Sequence, residues 1–81
     1  MLEDRALSTE QQTIVYVKLV NEAVEVWRPV KAIQTNENRY QLVEDQSIPE
    51  DEDWEFAPGE VIEVTIRSFD GVPRKIASGK I

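Results

Sequence analysis

Residues 61–71 read VIEVTIRSFDG, and this stretch decides the fold. Ile62, Val64 and Ile66 alternate with polar neighbours, which is the two-residue period of a strand that has one face in a core. The stretch ends in Asp-Gly, a dipeptide typical of two-residue hairpin turns because both positions tolerate a positive φ. It therefore predicts a long strand with Ile62, Val64 and Ile66 in the core, a tight turn and a returning strand over residues 74–78.

The first strand is predicted over residues 13–20, which are rich in β-branched and aromatic side chains. Val15, Val17 and Leu19 share one face of it and should join the same core. Residues 1–12 are mostly polar, and we expect a flexible or short helical N-terminal tail there, followed by one small domain over residues 13–81.

A second apolar stretch covers residues 24–33 and contains Pro29. Proline has no N–H to give to a sheet, so Pro29 should lie at an edge, at a bulge or at a strand start. We expect a bend there, with the main strand over residues 30–33. Turn-forming residues follow at 35–38, and the next strand is predicted over residues 39–43, which gives an antiparallel hairpin.

The connection to the stretch 61–71 is the acidic loop, residues 44–60. Seven of the twelve residues from Glu44 to Glu55 are acidic. Trp54 and Phe56 are two residues apart, so in an extended backbone they project from one face and would hold the loop against the barrel. The dipeptide Pro58-Gly59 suits the centre of a type II turn.

Five short strands and one long loop make up an all-β chain with no candidate for a long helix. Closing the strands into a barrel buries the apolar faces of the first and fourth strands together and removes most of the exposed sheet edge. The prediction is a small five-stranded antiparallel SH3-like barrel with one long acidic loop. An OB-like barrel and an open meander are the alternatives.

Composition excludes several kinds of chemistry. The chain has 81 residues without Cys or His, so thiolate, imidazole and Ser-His arrangements are absent. We predict no catalytic residue, no cofactor site and no metal site, and hence no enzyme. The acidic loop lacks the glycine of calcium-binding loops, and we interpret it as solvated. Weak divalent-cation binding and a basic protein partner are left as alternatives.

Charge and hydropathy bear on partners and location. Sixteen acidic and nine basic residues give a net charge of −7, which disfavours nucleic acid, although a local basic patch of Arg67, Arg74, Lys75 and Lys80 is open. No apolar run is long enough to span a membrane and the N-terminus lacks a secretory pattern, so the expected location is cytoplasmic and no membrane contact is expected.

Two segments carry a resemblance to a known family. The first is Val26-Trp27-Arg28-Pro29-Val30, and the second is Trp54-Glu55-Phe56-Ala57-Pro58-Gly59 with the acidic residues before it. Together with the hairpin between them, they resemble small uncharacterised bacterial proteins that share V-W-x-P-V and acidic W-x-F-x-P-G segments, over roughly residues 13–64. The resemblance implies a bacterial origin and a shared fold, and it supplies no catalytic residue.

The segment V-W-R-P-V is also similar to Tudor-type and chromo-type barrels, which enclose a methylated cation in an aromatic cage. The cage candidates would be Tyr16, Trp27, Tyr40, Trp54 and Phe56. A small barrel needs large aromatic side chains to fill its interior, so we interpret these residues mainly as core or loop anchors.

The favoured hypothesis for function is a non-catalytic protein-interaction or accessory module that acts as a monomer or weak homodimer. Its predicted surface lies beside the acidic loop, because Trp and Arg dominate binding hot spots. That surface consists of Trp27, Arg28, Trp54, Glu55, Glu52 and Asp53. Two alternatives stay open: an acidic mimic of nucleic acid, and a small-ligand-binding barrel that uses its mouth.

Overall fold

The structure, a computed structural model, describes residues 12–81. Its strands are β1 Gln12–Lys18, β2 Trp27–Gln34, β3 Arg39–Leu42, β4 Val61–Phe69 and β5 Val72–Lys80. The part of the chain that the structure describes contains no helix that could cross a membrane. The tail expected over residues 1–12 lies outside the described residues except for Gln12, which opens β1.

The five strands follow one another in chain order around a closed barrel. The four consecutive pairs are antiparallel, whereas β1 and β5 pair in parallel, with Tyr16 opposite Ile76. An odd number of alternating strands brings the first and the last together in the same direction. The predicted small SH3-like all-β barrel is confirmed, and the open meander is wrong because the sheet closes.

The core lies inside the barrel and takes side chains from every strand. Among the described residues no charged or strongly polar residue is buried, so the side chains of the interior contribute through apolar burial, which is worth about 1.5–3 kcal/mol for each large side chain. The core cluster consists of Val15, Val17, Val30, Ala32, Tyr40, Leu42, Phe56, Ile62, Val64 and Ala77.

Ile66 is a correction to the predicted core, since 63% of it is exposed. The short strand β3 pairs only with Val61, Ile62 and Glu63 of β4. Beyond that point β4 continues with β5 alone as a two-stranded ribbon, so no third strand reaches the face of Ile66. The ribbon ends in the predicted turn, with φ of 53° at Asp70 and 82° at Gly71.

Pro29 lies within β2, so the prediction of a main strand that starts at Val30 is wrong. Lys31 directs its N–H and C=O to the side chain of Gln46, at 3.0 and 2.8 Å, and therefore away from β1. Backbone directions alternate along a strand, so the nitrogen of Pro29 points the same way, past the end of β3. Of the three positions that the sequence allowed, Pro29 takes the edge, and β2 therefore passes through proline without losing a hydrogen bond.

Candidate functional site

The acidic loop is held against the barrel by its aromatic residues, as predicted. Phe56 is 7% exposed and belongs to the core, and Trp54 packs against it. The backbone N–H of Glu60 donates to the carbonyl of Ala57 at 3.1 Å, and Gly59 has a φ of 91°. These features make the predicted type II turn, which returns the chain to β4.

The backbone of the loop also docks on the end of β1. The N–H of Glu55 donates to the carbonyl of Lys18 at 2.9 Å, and the N–H of Val20 donates to the carbonyl of Asp53 at 2.8 Å. Leu19 and Trp54 form an antiparallel bridge between these two bonds. Residues 53–55 therefore behave as a short additional strand that continues the sheet.

Glu52 connects the loop to β2. Arg28 donates through Nε to Glu52 Oε1 at 3.0 Å and through Nη2 to Glu52 Oε2, and Trp54 Nε1 donates to the same Oε1 at 3.0 Å. The hydrogen bond from Arg28 lowers the pKa of the Glu52 carboxyl, and the same pair raises the pKa of Arg28. The Glu52 side chain is only 10% exposed, so this carboxylate anchors the loop and is not displayed to solvent.

Asp53 joins the acidic loop to the loop between β1 and β2. Its Oδ2 accepts a hydrogen bond of 2.9 Å from Asn21 Nδ2, and Asn21 has a left-handed φ of 64°. Glu55, the remaining predicted site residue of the loop, is exposed. The structure thus brings together Arg28, Trp54, Glu55, Glu52 and Asp53.

Alternation divides the loop residues between two sides. Glu52, Trp54 and Phe56 are turned toward the barrel, whereas the residues between and before them, Asp51, Asp53 and Glu55, are exposed. None of these three carboxylates forms an ion pair with any of residues 12–81. Within the same residues no three acidic side chains converge in a way that could hold a metal ion.

Trp27 does not join the predicted surface. Neighbours on a strand point to opposite faces, and Trp27 packs edge-to-face on Phe69, with ring centroids 5.9 Å apart. The guanidinium of Arg67 lies 5.7 Å from the Trp27 ring and 5.0 Å from the Phe69 ring, and it donates to Glu25 at 3.0 and 3.4 Å. Trp27 therefore belongs to a separate cluster on the β4–β5 ribbon.

Glu25 lies close to both Arg67 and the Trp27 indole in this cluster. The pKa of Glu25 is lowered, chiefly by the hydrogen bond from Arg67. The Trp27 indole is near enough to lower it slightly further, yet its Nε1 is buried and forms no hydrogen bond of normal geometry within the described residues. Glu25 is thus bound by Arg67 and not by the indole nitrogen.

The sequence did not predict that β5 is buried on both of its faces. Ile76 and Ala77 are consecutive and 8% and 3% exposed, so the sheet is covered on both faces at this point. Nearby, Arg74 stacks on Tyr16 at 5.0 Å and donates to its hydroxyl. Two adjacent buried positions break the alternation that predicts strands, and no other signal in the sequence indicates them.

The basic patch that the sequence left open is not assembled. Arg67 and Arg74 face each other across the ribbon, but Glu25 pairs with Arg67. Lys75 is the neighbour of Arg74 and so points to the opposite face, and Lys80 pairs with Glu60 at 3.4 Å. The aromatic cage also loses two candidates to the core, Tyr40 and Phe56.

Comparisons with known proteins give no match to any protein-family model, curated protein or solved structure.

Proposed function

We propose that the protein is a non-catalytic interaction module that presents its acidic loop to a basic segment of another protein. The observation that carries the proposal is the division of the loop into an anchored side and an exposed side. Glu52, Trp54 and Phe56 fix the backbone, while Asp51, Asp53 and Glu55 remain in solvent.

The spacing of the exposed carboxylates favours an extended peptide as the partner. Asp53 and Glu55 flank the bridge at Trp54 on extended backbone, so they lie roughly 6.6 Å apart. Asp51 precedes them in the turn that the N–H of Glu52 closes on the carbonyl of Pro49 at 3.0 Å, and the three carboxylates follow one another along the loop as a short row. An extended peptide with Lys or Arg at every second position has cations at the same interval. A row of three carboxylates is short for a mimic of a nucleic-acid duplex, which favours the peptide over that alternative.

Anchoring gives such a row a physical advantage. Ordering a flexible loop on binding costs conformational entropy, and a loop that is already fixed by the Arg28–Glu52–Trp54 contacts avoids that cost. The charges are exposed, so the attraction is screened by salt and contributes mainly to the rate and specificity of association. The expected interaction is weak to moderate and strongly dependent on ionic strength.

The test uses the full chain and two synthetic peptides of equal composition, one with lysines at alternate positions and one with the lysines in a block. Isothermal titration calorimetry at low salt measures both affinities. We expect the alternating peptide to bind more tightly. The variant Asp51→Asn/Asp53→Asn/Glu55→Gln should weaken that binding by about tenfold.

The matched control changes the net charge equally at exposed positions outside the loop, with Glu37→Gln, Glu63→Gln and Asp70→Asn. This control should keep most of the affinity for the alternating peptide. An equal loss of affinity in both triple variants would show that binding depends only on net charge, and it would overturn the proposal. Equal affinity for the two peptides would also overturn it, because the spacing would then have no role.

A further inference from the structure

The other end of the barrel contains a pocket of about 680 Å³. It lies between the start of β1, the end of β2, the turn after it and the inner face of β5. The principal lining residues are Gln12, Ile33, Gln34, Asn36, Tyr40 and Lys75. Its volume is within the roughly 300–1,000 Å³ range of small-molecule sites.

Lys75 is the cation of this pocket. It lies two residues before Ala77 on the same face of β5, so it follows the core residues toward the open end of the barrel. Its side chain is half-buried and has no carboxylate partner among residues 12–81. A partly desolvated ammonium without a counter-charge favours an anion beside it.

Tyr40 brings a phenol side chain to the same pocket. The residue is 5% exposed and packed in the core, and it is also one of the lining residues. A phenol in this position can donate to or accept from a ligand without any change in the barrel.

The rim supplies further polar groups from two amide side chains. Gln34 uses its Nε2 to donate to the carbonyl of Glu37 at 3.0 Å, and its Oε1 accepts no hydrogen bond within residues 12–81. Asn36 uses its Oδ1 to accept from the N–H of Glu37 at 2.6 Å, and its Nδ2 donates to none of the residues that the structure describes. The turn thus holds one amide acceptor and one amide donor in fixed positions, and Ile33 adds an apolar surface beside them.

We propose that this pocket binds a small hydroxylated monocarboxylate of the sugar-acid class. The carboxylate lies against Lys75, and the hydroxyl groups bond to Gln34, Asn36 and Tyr40. The less polar face of the sugar ring lies on Ile33. One cation matches one carboxylate, and the remaining uncharged donors and acceptors match hydroxyl groups, which a larger or multiply charged anion would leave unused.

The test is an NMR titration of the full ¹⁵N-labelled chain with D-glucuronate, followed by identical titrations with D-glucose, acetate and inorganic phosphate. Glucuronate should give saturable shifts at the amides of residues 33–36 and of Lys75, and it should bind more tightly than the other three probes. Lys75→Gln should weaken glucuronate binding by about tenfold. Tyr40→Phe should weaken it less and keep a wild-type spectrum elsewhere.

Lys31→Gln is the matched control, because Lys31 is exposed on β2 and its loss gives the same net charge. This variant should bind glucuronate as the wild type does. The proposal is overturned if glucuronate gives no saturable shift, if acetate or phosphate binds equally well, or if Lys75→Gln leaves the affinity unchanged. None of these results depends on the acidic loop, so the two proposals are tested separately.

Discussion

Phe56→Ala should destabilise the whole domain and not only the acidic loop. Phe56 is almost completely buried and belongs to the barrel core, although it lies in a loop. Truncating a buried Phe to Ala costs about 3–5 kcal/mol, and a domain of 81 residues has a total stability of roughly 4–12 kcal/mol. The variant should therefore lose a large part of its free energy of unfolding, and its Tm should fall by at least about 12 °C.

The assay is urea unfolding followed by tryptophan fluorescence and by far-UV circular dichroism. The two probes should give coincident transitions with an unchanged m-value and a lower midpoint, because the loop and the barrel unfold together. Phe56→Leu retains most of the volume and provides a milder variant that stays folded, with a loss of roughly 1–1.5 kcal/mol.

Val24→Ala is the control, since Val24 is 71% exposed in the neighbouring loop and its truncation should change stability by less than about 0.5 kcal/mol. The reasoning would be refuted by a Phe56→Ala variant that keeps the wild-type midpoint by circular dichroism while its fluorescence changes at lower urea. That result would show that the loop detaches without disturbing the barrel.

Three further predictions concern single residues. The folded-state pKa of Glu52 lies below its ordinary value of 4.5, so its contribution to stability is complete above that pH and disappears as the pH falls through the folded pKa. When the urea midpoint is plotted against pH, Glu52→Gln should therefore show a smaller fall on the acid side than the wild type. Parallel curves for the two proteins would contradict this. Gly71→Ala should cost about 1–2 kcal/mol of stability, because Ala is strained in the left-handed conformation of this residue. Gly59→Ala should cost more, because its Cβ would also lie 3.1 Å from Glu44 Cγ. Thermal unfolding ranks the two variants by stability, and a less stable Gly71→Ala would count against this reasoning. Ile66→Thr should leave the free energy of unfolding within about 0.5 kcal/mol, and a loss of several kcal/mol in urea would mean that the ribbon buries this side.

Local signals in the sequence predicted the features that depend on neighbouring residues. The Asp70-Gly71 and Pro58-Gly59 turns form as expected because their backbone conformations are set by residue type. Trp54 and Phe56 hold the loop because two positions of an extended segment share a face. The closed barrel followed from the need to bury two apolar faces in so short a chain.

Features that depend on where another strand ends were not predicted. Ile66 has the correct period for the core, but periodicity gives only the side of a strand and not whether β3 extends far enough to cover it. Trp27 and Arg28 are adjacent in sequence and were assigned to one surface, yet alternation places them in different clusters. The pocket at Lys75 arises from the pairing register of several strands, and no single segment contains it.

Because β1 and β5 are parallel, the start of β1 and the end of β5 lie at opposite ends of the barrel. In a closed barrel with an even number of alternating strands, they would lie at the same end. The first strand starts beside the pocket at Gln12, and the last one finishes at Lys80, which is paired with Glu60 of the acidic loop. The surface proposed to bind a basic peptide and the pocket proposed to bind a sugar acid therefore lie at opposite ends of the barrel.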